Sequence, residues 1–172
     1  MNHAALIQRL VNFPRSLSLL LEPLPIEDLR WKPAPEHWSI LEICCHLLDE
    51  EREDFRLRLR STLEDPSKPW ASLDLKNVAE IRRYNQREPG PILKDFIAER
   101  ADSIRWLRSL VRPDFSTAYV HPTHGPVYAG ELMASWAAHD ALHMRQIAKR
   151  FYGLARRDAG DHTIAYAGEW TA

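Results

Sequence analysis

The sequence predicts an all-α fold, a four-helix bundle. Two observations carry that prediction: four long segments show helical periodicity, and the proline-rich stretches fall mainly between them. No strand pattern of comparable strength competes, and four amphipathic helices bury their apolar stripes most economically against one another. At 172 residues, with 45% hydrophobic and 27% charged, the chain has the size and balance of one ordinary globular domain.

The first segment, about Asn2 to Glu22, places Leu6, Leu10, Phe13, Leu17, Leu20 and Leu21 on one face, with Pro14 as an expected kink. Pro23, Pro25, Pro33 and Pro35 then make an extended connection. Ser39-Ile40-Leu41-Glu42 has the form of a capping box, in which the serine hydroxyl and the glutamate carboxylate each accept an otherwise free backbone N–H. A second helix starts there and is expected to run to about Leu63. Its apolar arc is Ile40, Ile43, Cys44, Leu47, Leu48, Phe55 and Leu59, and its other face is expected to be charged and solvated.

From Glu64 to Pro91 the pattern weakens around a short helix expected near Leu75 to Asn85. Pro91 suits the first turn of a third helix with Ile92, Phe96, Ile104 and Leu107 on its face, ending near Val111 before Pro113. Arg112 to Val127 is expected to be a loop. The fourth helix spans about Tyr128 to Tyr152, with Gly153 at the left-handed position that ends many helices. Residues 1–153 thus make the bundle domain and residues 154–172 an unassigned tail, with long second and third connections between helices.

The chemistry of the chain narrows its function. With 23 basic and 24 acidic residues the formal net charge is −1, so no global field draws in nucleic acid or an anionic membrane. The two cysteines, Cys44 and Cys45, are adjacent and cannot form a disulfide framework; the expected address is the cytoplasm. No signal-peptide pattern opens the chain and no 18-residue apolar run occurs in it. There is no phosphate-binding glycine loop, no Gly-x-Ser-x-Gly elbow and no Cys-x-x-Cys.

On the fourth helix His139 and His143, four residues apart, stack one turn above the other on the face that carries Leu132, Trp136 and Ile147. Two imidazoles aimed at a core require hydrogen-bond partners or a metal. His46, at the edge of the second helix's apolar arc beside Glu50, is the candidate third ligand; taken alone it reads rather as a boundary histidine bonded to Glu42 or Glu50. Three neutral imidazoles from two facing helices make a cap for zinc or nickel with a position left open for water or substrate.

Trp38-Ser39-Ile40-Leu41-Glu42-Ile43-Cys44-Cys45-His46-Leu47-Leu48-Asp49-Glu50-Glu51 resembles the second helix of the DinB/YfiT-like superfamily. His121-Pro122-Thr123-His124-Gly125-Pro126, followed by Glu131-Leu132 and His139-Asp140-Ala141-Leu142-His143-Met144-Arg145-Gln146-Ile147, is similar to that family's fourth helix and the loop leading into it. The resemblance covers roughly Leu6 to Tyr152. It implies an up-down-down-up bundle, a divalent metal on His46, His139 and His143, and a homodimer. It also implies one of two activities, transfer or isomerisation with a low-molecular-weight thiol, or metal-dependent hydrolysis of a small-molecule substrate.

Further residues are candidates for catalysis. Arg100 falls in the middle of the third helix's apolar arc, where a guanidinium needs an acidic partner or a ligand; it is expected either to snorkel to the bundle end or to bind a substrate carboxylate. Glu50 is a candidate general base, although it sits in an acidic run whose ordinary fate is solvation. Gln146 can orient the His143 ring, Trp136 is expected to wall the pocket, and His121 and His124 to flank its mouth. Cys44 is expected in the core and Cys45 in water. The rival to an enzyme is a non-catalytic stress-response module that holds metal or a small ligand, and a third reading satisfies the histidines with core hydrogen bonds alone.

Overall fold

Asn2 caps the first helix, its side-chain oxygen accepting the Ala5 N–H at 3.1 Å. From there the computed structural model describes residues 1–71 and 77–171, and over these the chain is mostly helical. The elements are α1 (His3–Leu21), α2 (Ile26–Arg30), α3 (Ile40–Glu53), α4 (Phe55–Glu64), α5 (Val78–Ile81), α6 (Pro89–Ser109), β1 (Ala118–His121), β2 (Gly125–Tyr128) and α7 (Ala129–Asp158). Short 3-10 turns occupy Tyr84–Gln86 and Ala165–Ala167.

Helix α1 packs on α6 and α7, α3 packs on α6, and α4 packs on α7. The first long helix therefore lies across the bundle from the second, and the third across from the fourth, so that α3 and α4 face α7. The core falls into two clusters. One gathers Phe13, Leu17, Leu41, Leu48 and Phe96; the other gathers Leu10, Leu59, Leu132, Met133 and Trp136. Arg100, only 1% exposed, sits between them: its guanidinium lies over the Phe13, Phe96 and Trp136 rings and reaches the Leu10 carbonyl.

Several local expectations are corrected. The second long helix is broken at Asp54, whose backbone leaves the helical region at φ −118°, ψ −95°, while its carboxylate pairs with Arg58 one turn on. The face of α3 expected to be solvated is not: Glu42, Glu50, Glu51 and Asp54 are all buried, Glu42 against Lys32, Glu51 against Arg100 and Trp136, Asp54 against Arg58, and Glu50 beside His46 one turn earlier. The stretch containing Pro23 and Pro25 is not wholly extended, since Pro25 precedes the single turn and a half of α2. Of the helix expected near Leu75 to Asn85, Leu75 lies outside the described residues; what is seen is α5 and the turn at Tyr84, whose hydroxyl donates to Asp49.

The expected loop from Arg112 to Val127 contains an antiparallel hairpin instead, with Ala118 opposite Tyr128 and His121 opposite Gly125. Gly125, at φ +73°, takes the left-handed conformation the turn requires. Helix α7 runs past its expected end: Gly153 lies within it, and the missing side chain accommodates the edge of the Trp31 ring. Among the described residues no helix is long and apolar enough to cross a membrane.

Candidate metal centre

The capping box fixes where α3 begins and hence where His46 points. Ser39 Oγ accepts the Glu42 N–H at 3.1 Å, and Glu42 Oε2 accepts the Ser39 N–H at 2.7 Å. Helix α7 is started similarly by Glu131, which accepts the Tyr128 N–H at 3.0 Å, and it carries His139 and His143 a turn apart.

The three histidines converge. Ring centroids lie 5.4 Å apart for His46 and His139, 4.8 Å for His46 and His143, and 4.3 Å for His139 and His143. One nitrogen from each falls within 4.8 Å of the other two, which is a group able to hold a metal ion. His46 is buried while His139 and His143 are half-buried, so the cluster is not wholly enclosed.

Two details test whether this donor set suits a cation. His143 Nδ1 lies 2.9 Å from Gln146 Oε1, an acceptor only, so Nδ1 carries the proton and Nε2 presents its lone pair. That Nε2 stands 3.0 Å from His139 Nε2. Either one of the pair is protonated or both lone pairs face a common cation, and the Gln146 contact prepares His143 for the second arrangement. Burial lowers the pKa of His46 to about 4, helped by His143, and that of His139 to about 3, helped by His143, His46 and Arg100. The His143 value is likewise lowered by burial. Neutral imidazoles with free nitrogens at neutral pH are the form that binds a divalent ion. The residues fit a metal.

The surroundings are aromatic and acidic. The Trp38 ring packs 4.9 Å from His46, and Phe55 packs 5.1 Å from His139. Trp136 does not face the histidines directly; it stacks on Phe55 at 5.9 Å and donates its indole N–H to Glu51 Oε2 at 3.1 Å. Glu50 Oε1 lies 3.8 Å from His46 Nδ1, a buried nitrogen with no hydrogen-bond partner among the described residues. Burial, with Asp54 adding its charge, pushes the Glu50 carboxyl up to about 7.

Arg100 meets its need for an acidic partner inside the chain. Its Nε donates to Glu51 Oε2 at 2.9 Å, Nη1 to Asp140 Oδ2 at 2.6 Å and Nη2 to Asp140 Oδ1 at 2.9 Å. Neither the snorkelling head nor the substrate clamp describes it: the head is buried and clamps Asp140, the residue next to His139. Cys45, expected in water, is fully buried with its thiol toward the Tyr84 carbonyl at 3.7 Å. Cys44 is in the core as expected. His121 and His124 pack against each other with tilted rings at the hairpin turn and are not part of the histidine cluster.

Sequence reasoning passed over Trp38, Phe55, Glu51 and Asp140. Asp140 carried a signal, a carboxylate on the core-facing side of a helix beside a candidate ligand. Trp38, Phe55 and Glu51 are placed by packing between segments far apart in the chain, which spacing along one helix does not show.

Comparison with known proteins places these observations. The family model of the DinB superfamily matches residues 9–147. No curated protein matches the chain. Among solved structures, one from Bacillus subtilis is similar, with a TM-score of 0.79 at 18% identity over 89% of this chain and 87% of that one. That protein, YfiT, is described as a probable metal-dependent hydrolase with an unusual four-helix bundle topology. At this identity the likeness is one of fold.

Proposed function

The chain belongs to the DinB superfamily, and from that premise we propose that it is a metal-dependent enzyme whose ion is held by His46, His139 and His143. The observation that carries the reading is the convergence of three neutral imidazole nitrogens within 4.8 Å, with Gln146 fixing the tautomer of one of them. When bound, zinc or nickel supplies Lewis acidity, lowering the pKa of a coordinated water or thiol toward neutrality. The reaction class is hydrolysis, or transfer of a low-molecular-weight thiol to a small electrophile.

The chain's own residues have distinct parts in this reading. Glu50 is the proton acceptor: a carboxyl that titrates near neutrality, 3.8 Å from a ligand ring, is matched to general-base work. Gln146 holds His143 in the ligating tautomer. Arg100 is a positioning residue, acting on His139 through Asp140. Trp38 and Phe55 exclude water from the apolar sides of the cluster. The proposal includes a cytoplasmic homodimer with the up-down-down-up helix order.

Metal content by inductively coupled plasma mass spectrometry tests the reading, comparing tag-free protein with the triple variant His46→Ala, His139→Ala, His143→Ala. About one zinc or nickel ion per chain, lost in the variant, is expected. A wild-type protein that neither contains nor takes up metal overturns it. If metal is bound, turnover with a thiol and an electrophile, compared with hydrolysis of ester and amide substrates, separates the two reaction classes from a non-catalytic binding role.

A further inference from the structure

Two arginines of this fold are almost wholly buried, and they are treated differently. Arg100, 1% exposed, has Glu51 and Asp140 around its guanidinium. Arg150, 4% exposed, has no carboxylate within ion-pair distance among the described residues. Its Nε donates to the Trp38 carbonyl at 2.6 Å, and among the described residues its Nη1 and Nη2 have no acceptor. The nearest acidic influence, Glu42, is already engaged by Lys32 at 3.1 Å and by the Ser39 cap. Burial pulls both guanidinium pKa values down; the hydrogen bonds and charges of Asp140 and Glu51 more than offset this for Arg100, and the charge of Glu42 does not for Arg150. Arg150 Nη1 and Nη2 are not among the buried unpartnered atoms, so the stem is buried while the two unpaired nitrogens reach solvent, free to receive an anion that the paired Arg100 could not take.

The place where Arg150 is uncompensated is a cavity. Arg150 lines a space of about 1040 Å³ between the last turns of α7, the segment around Trp31 and the residues that follow α7. Lys149, Arg156, His37 and His162 line the same space, against two carboxylates, Asp161 and Glu169. Arg157 is also there, but it is neutralised by Asp28 and Asp158, each at 2.7 Å. Trp31, Tyr152 and Trp170 supply aromatic surface, the last two with ring centroids 5.8 Å apart. A guanidinium held through its Nε, exposed cations around it and aromatic side chains lining the same space are the complement of an anionic head on a planar apolar body.

We propose that this cavity is a binding site for a small aryl or similarly flat organic anion, a carboxylate or a phosphate monoester, whose charged head is received by the Nη1 and Nη2 of Arg150. The site is separate from the histidine cluster and stands whether or not that cluster holds metal. It is linked to the cluster through one residue: Arg150 holds the Trp38 backbone, and the Trp38 ring packs on His46.

Isothermal titration calorimetry with phenyl phosphate, phenylacetate and the neutral phenylacetamide tests the proposal on metal-free and metal-loaded full-length protein. At least one of the two anions is expected to bind at one site per chain, the amide not, and Arg150→Gln to weaken that binding by about tenfold or more. Arg150→Lys, which keeps the charge and loses the fork, is expected to fall between. Preference for phenyl phosphate identifies a phosphate ester as the ligand class, and preference for phenylacetate a carboxylate. No binding of either anion up to about 10 mM, a threshold well above the millimolar affinities of weak ligands, overturns the proposal. So does equal binding of the amide, or unchanged affinity in an Arg150→Gln protein with wild-type circular dichroism. Should Arg150→Gln fail to fold, the exposed double variant Lys149→Gln/Arg156→Gln replaces it; a loss of about two- to fivefold supports the site and unchanged affinity overturns it.

Discussion

Arg100 grips both carboxylate oxygens of Asp140, Nη1 to Oδ2 at 2.6 Å and Nη2 to Oδ1 at 2.9 Å, and so ties α6 to the turn of α7 that carries His139. Its Nε does the same for α3 through Glu51, 2.9 Å away. One buried cation thus serves two buried carboxylates on two further helices. Breaking such a group by removing a single member is more damaging than replacing the whole with apolar residues. Arg100→Met strands two carboxylates and is expected to lower unfolding free energy by about 3–5 kcal/mol. Asp140→Asn leaves Glu51 in place and is expected to cost less, about 1–3 kcal/mol. Urea denaturation followed by circular dichroism measures both; equal effects, or a smaller one for Arg100→Met, would show that the arginine is not the hub.

The pH dependence of the metal-free protein follows from two opposed shifts. In the unfolded chain His46 and His139 take up protons as pH falls through their ordinary value of 6.5, whereas in the folded chain they stay neutral down to about 4 and about 3. The unfolded state then binds more protons, so stability declines as pH is lowered below about 6.5. Glu50 works in the other direction. Its ordinary value is 4.5 and its folded value about 7, so the folded state holds the extra proton and stability declines as pH rises through that range. Glu50→Gln is therefore expected to gain on wild type by roughly 1–3 kcal/mol between pH 5 and pH 8, and His139→Ala to flatten the acid side. Denaturation of chelator-treated protein at pH 5, 6.5 and 8 decides it. A Glu50→Gln difference that is constant with pH contradicts the raised carboxyl.

What the sequence disclosed and what it withheld divide along physical lines. The capping box at Ser39 and Glu42 and the stacked pair His139 and His143 were legible because each depends on atoms three or four residues apart on one helix. The end of α7 was misplaced at Gly153, since a glycine serves equally as a helix terminator and as room for a neighbour. Here the neighbour, Trp31, comes from the far end of the chain. The hairpin was missed because its strands are four residues each and one contains Pro126, which weakens the alternation that marks a strand. Arg100 was singled out correctly as needing a partner, yet Glu51 and Asp140 become its partners only when three helices pack.

The thiols beside His46 are expected to be silent. Burial, and the neighbouring cysteine's charge, push Cys44 up to about 12; burial, with Asp49 and Glu42 adding to it and Arg87 opposing, does the same for Cys45. A thiol that is not ionised and not reachable does not attack a disulfide reagent. With Ellman's reagent at pH 8 the native protein should show almost no rapid reaction, and both thiols should react once urea unfolds it. Fast labelling of a folded chain would mean that α3 opens locally, or that Cys45 reaches solvent as the sequence first suggested.

Gly153 offers a test in which two effects of one methyl group oppose each other. Inside a helix alanine is favoured over glycine by about 1 kcal/mol. At this position, however, an added Cβ would stand 2.9 Å from Cη2 and 3.0 Å from Cζ3 of Trp31. Overpacking of that kind typically costs about 1–3 kcal/mol, so Gly153→Ala is expected to be neutral or destabilising by up to about 2 kcal/mol where propensity alone predicts a gain. The ring edge must turn away, into the cavity that Trp31 lines beneath Arg157, and a change in tryptophan emission should accompany it. Removing the ring reverses the sign: in a Trp31→Leu background the clash is gone and Gly153→Ala should stabilise the protein by about 0.5–1 kcal/mol. If the substitution has the same effect in both backgrounds, the contact between Trp31 and α7 is not what holds that position to glycine.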